Sequence, residues 1–290
     1  AGGTTISHAM HGSANVIGGQ NVTLKHRYGT HDPDRLIMKE APRTIKFALG
    51  ENPTRVHGIG KNLQPRSRMG VEAVIRNGFE EALQYKSAWE KWNKEKQKKD
   101  ITTAPPKYNT RLQTLVDILD GKIIIHCHSY RADEIYMLIQ VCQEYGIDKI
   151  VFSHVNEGFK VAPELAKYTM GASVFSDWWA YKFEVYYSTA YNAAILTKNG
   201  VQLGIDKYVG SIEVGKQADL VLFDKHPLSI YAIPQMTWVD GIKYFDRNTD
   251  QADQRLKINL KRSLDPYRIS SGTHNCMQDA QALFTENHHH

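Results

Sequence analysis

The 290-residue sequence has few cysteines and no long apolar runs. It therefore lacks the features by which disulfide-rich proteins and membrane proteins are recognised. Because no run of about 18 apolar residues occurs, we predict no membrane-spanning helix and no membrane partner. The cysteine count is three, an odd number without a disulfide framework, so it does not identify the redox compartment. The chain opens on Ala1 and not on methionine. A cytoplasmic location and an exported one, after signal removal, both stay open.

The charge is also nearly balanced. Lysine and arginine number 36 against 31 acidic residues, which gives a net charge of +5. Much of the excess lies in residues 86–107, where acidic residues are interspersed and only Trp89 and Trp92 offer rings for stacking on bases. This mixture is typical of the solvated face of a long helix. We therefore predict no nucleic-acid partner.

Residues 108–200 alternate short apolar runs with amphipathic ones. β-branched or apolar runs at 123–125, 149–153 and 172–175 predict strands buried on both faces. Helical spacing of apolar residues predicts helices over 112–119, 135–142, 161–168 and 191–198. Earlier, residues 44–49 predict a strand, 71–89 predict a long helix, and 8–43 suggest a long loop. The alternation predicts a parallel sheet wound by helices.

Histidines follow two of these strands. His126 and His128 come as the run Ile123–Ile125 ends, and His154 follows the next strand. In parallel α/β folds the carboxyl ends of the strands form the mouth of the active site. A catalytic zinc site uses such an arrangement, whereas a single histidine at a strand end is usually a hydrogen-bonded structural residue. Spacing alone leaves both interpretations open.

Four stretches carry a family resemblance. Gly210–Val221 (Gly-Ser-Ile-Glu-Val-Gly-Lys-Gln-Ala-Asp-Leu-Val) resembles the segment with which enzymes of the amidohydrolase superfamily leave the barrel for a small β-sandwich. Ile125–His128 and Ser153–Gly158 resemble the fifth and sixth barrel strands of its imidazolonepropionase-like and cytosine-deaminase-like members. Gly12–Gln20 is similar to a related branch. The resemblance covers nearly the whole chain up to about residue 246 and implies a (β/α)8 TIM-like barrel with a small β-sandwich domain.

The resemblance also implies roles for single residues. His126 and His154 correspond to metal ligands on the fifth and sixth strands, and His128 to a catalytic residue beside the metal that hydrogen-bonds a substrate carbonyl. A further ligand is either Glu51 or a carbamylated Lys46. Glu51 is favoured because its carboxylate can bind a cation without prior modification. The implied cofactor is zinc, as one or two divalent cations, and we expect the site to be empty or only partly filled in this form of the chain.

The chain departs from the family pattern at two places. The metal-binding His-x-His of the first strand would lie before residue 1, and Val201 runs directly into Gln202 where an eighth strand with a catalytic Asp is expected. We therefore expect a barrel at 1–201 whose first and last strands are absent from the sequence, with a break between Val201 and Gln202. Residues 202–246 would return to the β-sandwich, 247–287 form a tail, and 288–290 resemble the end of an affinity tag.

The implied function is a metal-dependent hydrolase that cleaves a C–N bond in an amide, a cyclic amide or a peptide. The alternatives are a dipeptidase of the Xaa-Pro or Xaa-Arg kind and an inactive barrel that acts as a binding protein. The partner would be a small molecule or a short peptide, and a homo-oligomer is compatible with the sequence. Trp178, Trp179 and Tyr181 would line an apolar pocket or pack as core. Arg68 would hold a substrate carboxylate or lie in a surface loop.

Overall fold

The computed structural model of the protein describes residues 5–27, 29–30, 32–97, 104–175, 182–201, 212–227 and 229–249. The strands of this part form two sheets, of six and of three strands. The larger sheet is curled into half of a barrel, in the order β1-β2-β3-β4-β5-β6. Its strands are β1 (Ile6–Ala9), β2 (Ile17–Lys25), β3 (Thr44–Ala48), β4 (Ile124–Ser129), β5 (Ile150–His154) and β6 (Gly171–Val174).

β1 and β2 form an antiparallel hairpin, β2 also pairs antiparallel with β3, and β3 to β6 are parallel. Between these strands lie α1 (Glu51–Thr54), α2 (Arg68–Glu95), α3 (Thr110–Leu119), α4 (Ala132–Glu144) and α5 (Ala162–Tyr168), with α6 (Asn192–Lys198) after β6. Ser67 caps α2 through a hydrogen bond that its Oγ accepts from the Gly70 amide at 3.1 Å. No described helix is both long enough and apolar enough to cross a bilayer.

The two faces of the large sheet differ in chemistry. Phe47, Cys127 and Phe152 are register partners on adjacent strands, and all three are fully buried in the core with side chains of α2 and α4. Because successive strand residues point to opposite faces, Lys46 and His126 point to the other face. Each buried core side chain of this size stabilises the fold by about 1.5–3 kcal/mol relative to its exposed state. One face therefore holds the sheet to its helices, and the other presents polar groups.

The small sheet contains β7 (Leu220–Phe223), β8 (Pro234–Val239) and β9 (Ile242–Asp246), all antiparallel. A buried ion pair joins it to the large sheet. The ammonium of Lys25, at the end of β2, lies 3.2 Å from a carboxylate oxygen of Asp219 and also contacts Asp240. Both Lys25 and Asp219 side chains are almost fully buried. Asp240 also accepts hydrogen bonds from Arg27.

The structure confirms the predicted strands and helices of residues 108–200, the strand at 44–48 and the long helix, which extends to Arg68–Glu95. The long loop predicted over residues 8–43 is wrong, because this segment contains the end of β1 and all of β2. The described strands give half of a barrel and one small sheet, so the complete (β/α)8 barrel, the two-layered β-sandwich and the domain boundaries stay predictions. The predicted break follows Val201, and Gln202 lies outside the described residues.

Candidate active site at the carboxyl ends of the strands

The register of the parallel strands brings the predicted site residues together. Lys46 on β3 is the register partner of His126 on β4. Two residues further along, His128 is partnered by Ala48 on one side and by Ser153 on the other. Lys46, His126 and His128 therefore share one face of the sheet, at the carboxyl ends of its strands.

His154 reaches this group through an unusual backbone conformation. Its register partner is Ser129, so strict alternation would place it on the face opposite to His128. The φ angles of His154 and Val155 are 75° and 40°, in the left-handed region that a β-branched residue rarely adopts. The ring of His154 lies 4.6 Å from that of His128, centroid to centroid, and stacks on Tyr130 at 5.2 Å. We infer that the left-handed turn directs the imidazole into the site, at a strain of about 1–3 kcal/mol per residue.

The histidines of the site are held neutral. Burial, with the positive charges of its neighbours as smaller causes, lowers the pKa of His126 and of His154 to about 4 and that of His128 to about 2. The charge of Lys46 contributes to each of these shifts. A neutral imidazole is the form that binds a metal ion, so these pKa values leave the rings ready for coordination at neutral pH.

Lys46 lies among the histidines at this end of the sheet. Its side chain is buried, and no carboxylate of the described residues forms an ion pair with its ammonium. Burial lowers the pKa of the Lys46 amine from its usual value. Its charge also helps to lower the pKa of His8 on β1, a residue that sequence reasoning missed. The His8 ring lies 5.0 Å from that of His126, and its two nitrogens hydrogen-bond the hydroxyls of Thr23 and Thr44.

Glu51 and Arg68 each form ion pairs with residues outside the histidine group. The Glu51 carboxylate accepts a hydrogen bond from Arg55 at 2.6 Å, in a partly exposed ion pair. The Arg68 guanidinium donates to both oxygens of Glu134 and to Glu184, each at 2.9 Å. Both predicted residues therefore already have partners, and the Arg68 guanidinium is shared between two buried carboxylates.

A polar chain that sequence reasoning missed leads from these carboxylates to His128. Glu184 lies 2.5 Å from the ammonium of Lys182, which donates to Oδ1 of Asn52 at 2.8 Å. The Asn52 amide nitrogen lies 3.1 Å from Nε2 of His128. Glu184 also accepts from the backbone N–H of Glu51 at 3.0 Å. Only the position of Asn52, next to the predicted Glu51, could have drawn attention to this chain.

Two sequence comparisons show which known proteins the chain is similar to. A family model described as Amidohydrolase family matches residues 182–247. The curated Amidohydrolase tasK of Hapsidospora irregularis is 27% identical over an alignment of 304 positions, which covers 85% of this chain and 31% of that protein. The chain thus spans about a third of the length of this relative. These similarities support the amidohydrolase superfamily.

A solved structure extends the likeness to the fold. The crystal structure of an amidohydrolase from Thermotoga maritima MSB8 is 27% identical in sequence and superposes with a TM-score of 0.73. The match covers 85% of this chain and 73% of that one. An amidohydrolase-like α/β fold is therefore supported, whereas the imidazolonepropionase-like branch stays a prediction.

The structure brings the predicted site residues together only in part. Lys46, His126, His128 and His154 lie together, and Glu51 is turned to Arg55. Within the ranges that the structure describes, no group of three or more His, Cys, Asp or Glu side chains has a spacing that could hold a metal ion. Three predicted substrate-binding residues lie outside the described residues: Trp178, Trp179 and Tyr181.

Proposed function

We propose that the chain is the catalytic part of a metal-dependent hydrolase that cleaves a C–N bond in an amide, a cyclic amide or a short peptide. The observation that carries the proposal is the set of neutral histidines, buried or half-buried, around a buried lysine at the carboxyl ends of parallel strands, where the described residues offer this lysine no carboxylate partner. His126 and His154 would hold a divalent cation of the zinc type, and His128 would contact the substrate.

The chemistry of these donors fits such a cation. Zinc binds neutral imidazole nitrogen and carboxylate oxygen, usually through three protein ligands in catalytic sites. His126 and His154 offer imidazoles that stay neutral well below pH 7, because the pKa of each lies near 4. An ammonium repels a cation, so Lys46 fits only after it loses its proton, which burial favours.

Two observations support Lys46 over Glu51 as the third ligand. Lys46 is the register partner of His126, whereas the Glu51 carboxylate is held by Arg55 at 2.6 Å. The neutral Lys46 amine can add to carbon dioxide: a new N–C bond forms, one proton leaves, and the product is a carbamate that carries a carboxylate. Glu51, the residue that the sequence favours, remains the alternative ligand.

A bound cation of this type polarises a carbonyl and lowers the pKa of water. The chain itself supplies position and electrostatics. His128 is buried beside His154 and offers a hydrogen bond to the oxygen on which negative charge develops during cleavage. Tyr130 stacks on His154 and limits rotation of its ring. Which C–N compound fits this site depends on residues that line the substrate pocket, since the fold does not determine the substrate.

A second candidate is a binding protein that has kept the fold without the reaction. It is favoured by the absence, within the described ranges, of a group of three His, Cys, Asp or Glu side chains with metal-site spacing. In this case small molecules would bind at the same sheet edge, with no metal requirement. The two candidates differ in one measurable property, the dependence of hydrolysis on a cation.

The test is hydrolysis of a panel of N-acyl amino acids, dipeptides and cyclic imides by the full chain. The activity should disappear on chelation and return when zinc is added. His126→Ala and His154→Ala should remove activity, whereas Arg43→Ala, in an exposed ion pair with Asp117, is the control that should keep it. Hydrolysis that survives chelation, or survives both histidine substitutions, would contradict the proposal.

A further inference from the structure

Asn52 connects the polar chain behind the site to His128. Its side-chain amide has three partners: Nζ of Lys182 and Oγ of Ser13, each at 2.8 Å, and Nε2 of His128 at 3.1 Å. These partners come from three segments that are far apart in sequence. The amide, on α1, therefore joins the loop before β2, strand β4 and the segment after β6.

The chemistry of Lys182 fixes which way this amide points. An ammonium only donates hydrogen bonds, so the atom that faces Lys182 has to be the oxygen, Oδ1. The NH₂ group then faces Ser13 and His128, and it only donates. Nε2 of His128 consequently accepts a hydrogen bond, and in the neutral ring the proton lies on Nδ1.

Lys182 is itself held in place. Its ammonium pairs with the buried carboxylate of Glu184 at 2.5 Å and lies 4.5 Å from the centre of the Tyr130 ring. Glu184 is bound in turn by Arg68 at 2.9 Å and by the backbone N–H of Glu51 at 3.0 Å. Withdrawal of Lys182 would leave this carboxylate without one of its two cations in a buried environment, which is costly.

We propose that Lys182, acting through Asn52, is a positioning residue that holds His128 in the tautomer with its proton on Nδ1. The effect of this tautomer on catalysis rests on the proposed function, whereas the tautomer itself follows from the hydrogen bonds. A histidine that binds a metal through one nitrogen donates the N–H of the other, usually to a carboxylate, a carbonyl or water. In His128 the nitrogen at the Asn52 side is an acceptor. His128 is therefore assigned to donating a hydrogen bond to the substrate, and metal binding is left to His126 and His154.

The isosteric substitution Asn52→Asp inverts the hydrogen bond at His128. The aspartate can still accept from Lys182, but its second oxygen also accepts and requires a proton on Nε2. Long-range proton–nitrogen correlation spectra of metal-free protein labelled with ¹⁵N-histidine distinguish the two tautomers. The signals of His128 are identified by their loss in His128→Gln. The matched control is Asn93→Asp, which adds the same charge at an exposed position on α2.

We expect the Nδ1–H tautomer of His128 in the wild type and in Asn93→Asp, and the Nε2–H tautomer in Asn52→Asp. Lys182→Met should produce a mixture, because the amide is free to turn, and Lys182→Arg should restore the wild-type spectrum. An Nε2–H tautomer in the wild type would overturn the proposal. An unchanged His128 tautomer in folded Asn52→Asp or Lys182→Met would overturn it as well.

Kinetics separate this proposal from the proposed function. Loss of the Nδ1 donor in Asn52→Asp should lower kcat by about 10²–10³, the effect of removing one donor to a developing oxyanion, with a smaller change in KM. The tautomer is measured without metal or substrate, so it stands if the chain hydrolyses none of the compounds. Conversely, active wild-type enzyme with the Nε2–H tautomer would refute the role of Lys182 and leave the hydrolase function intact.

Discussion

Replacing Gly50 by alanine tests the polar cluster that supports the site. Gly50 has φ 80° and ψ −147°, close to a region that is essentially restricted to glycine, where strain costs about 1–3 kcal/mol. A β-carbon at this position would lie 2.6 Å from a carboxylate oxygen of Glu184 and 3.2 Å from Nη1 of Arg68. Displacing that carboxylate weakens a charge-assisted hydrogen bond worth about 1.5–3 kcal/mol. We therefore expect Gly50→Ala to lower the free energy of unfolding by about 3–5 kcal/mol.

Urea denaturation, followed by circular dichroism, measures this loss. The matched control is Gly146→Ala, because Gly146 also has a positive φ, 69°, but no atom within 4 Å of the added carbon. The control should cost only the conformational strain, about 1–2 kcal/mol. If Gly50→Ala costs no more than Gly146→Ala, the Glu184 cluster does not constrain the turn after β3 and the reasoning fails.

Three further predictions concern charge and metal. In the metal-free chain the free energy of unfolding should fall as the pH drops from about 6.5 to about 4, because His126 and His154 bind protons in this range only when unfolded. Urea titrations of His126→Gln and His154→Gln should show a weaker dependence of this free energy on pH, and the same dependence as in the wild type would contradict the prediction. Lys25→Met should cost about 3–5 kcal/mol by leaving buried Asp219 without its cation, against about 0–1 kcal/mol for Arg43→Met at the surface. In calorimetric titrations His154→Ala should weaken zinc binding at least about 10–100-fold, and an unchanged dissociation constant would refute the ligand assignment.

The elements that the sequence predicts well have local signals. The β-branched run Ile123–Ile125 and the apolar run before His154 form β4 and β5, because a strand buried on both faces needs such residues. The N-terminal hairpin is missed because β2 begins with Ile17, Gly18 and Gly19, and glycine weakens a strand pattern. Packing explains why glycine occupies positions 18 and 19, since the ring of His11 lies against both and leaves little room for a side chain.

Of the candidate site, too, one part could be predicted from the sequence and another part could not. Histidines at strand ends can be recognised from the sequence, because parallel strands bring their carboxyl ends to one edge. The contact of Lys182 with Asn52 joins residues 130 positions apart, and no local pattern indicates it. The left-handed backbone of His154 and Val155 is likewise a product of tertiary packing, since a β-branched residue such as Val155 rarely adopts a positive φ.

The most direct test of the central claim is the zinc content of the full chain after equilibration with zinc and bicarbonate, followed by removal of loosely bound metal. If His126 and His154 form a metal centre with Lys46 or Glu51, the wild type should retain about one equivalent of zinc or more. The double variant His126→Ala/His154→Ala should retain almost none. A wild type without zinc, or equal zinc in both proteins, would contradict the account.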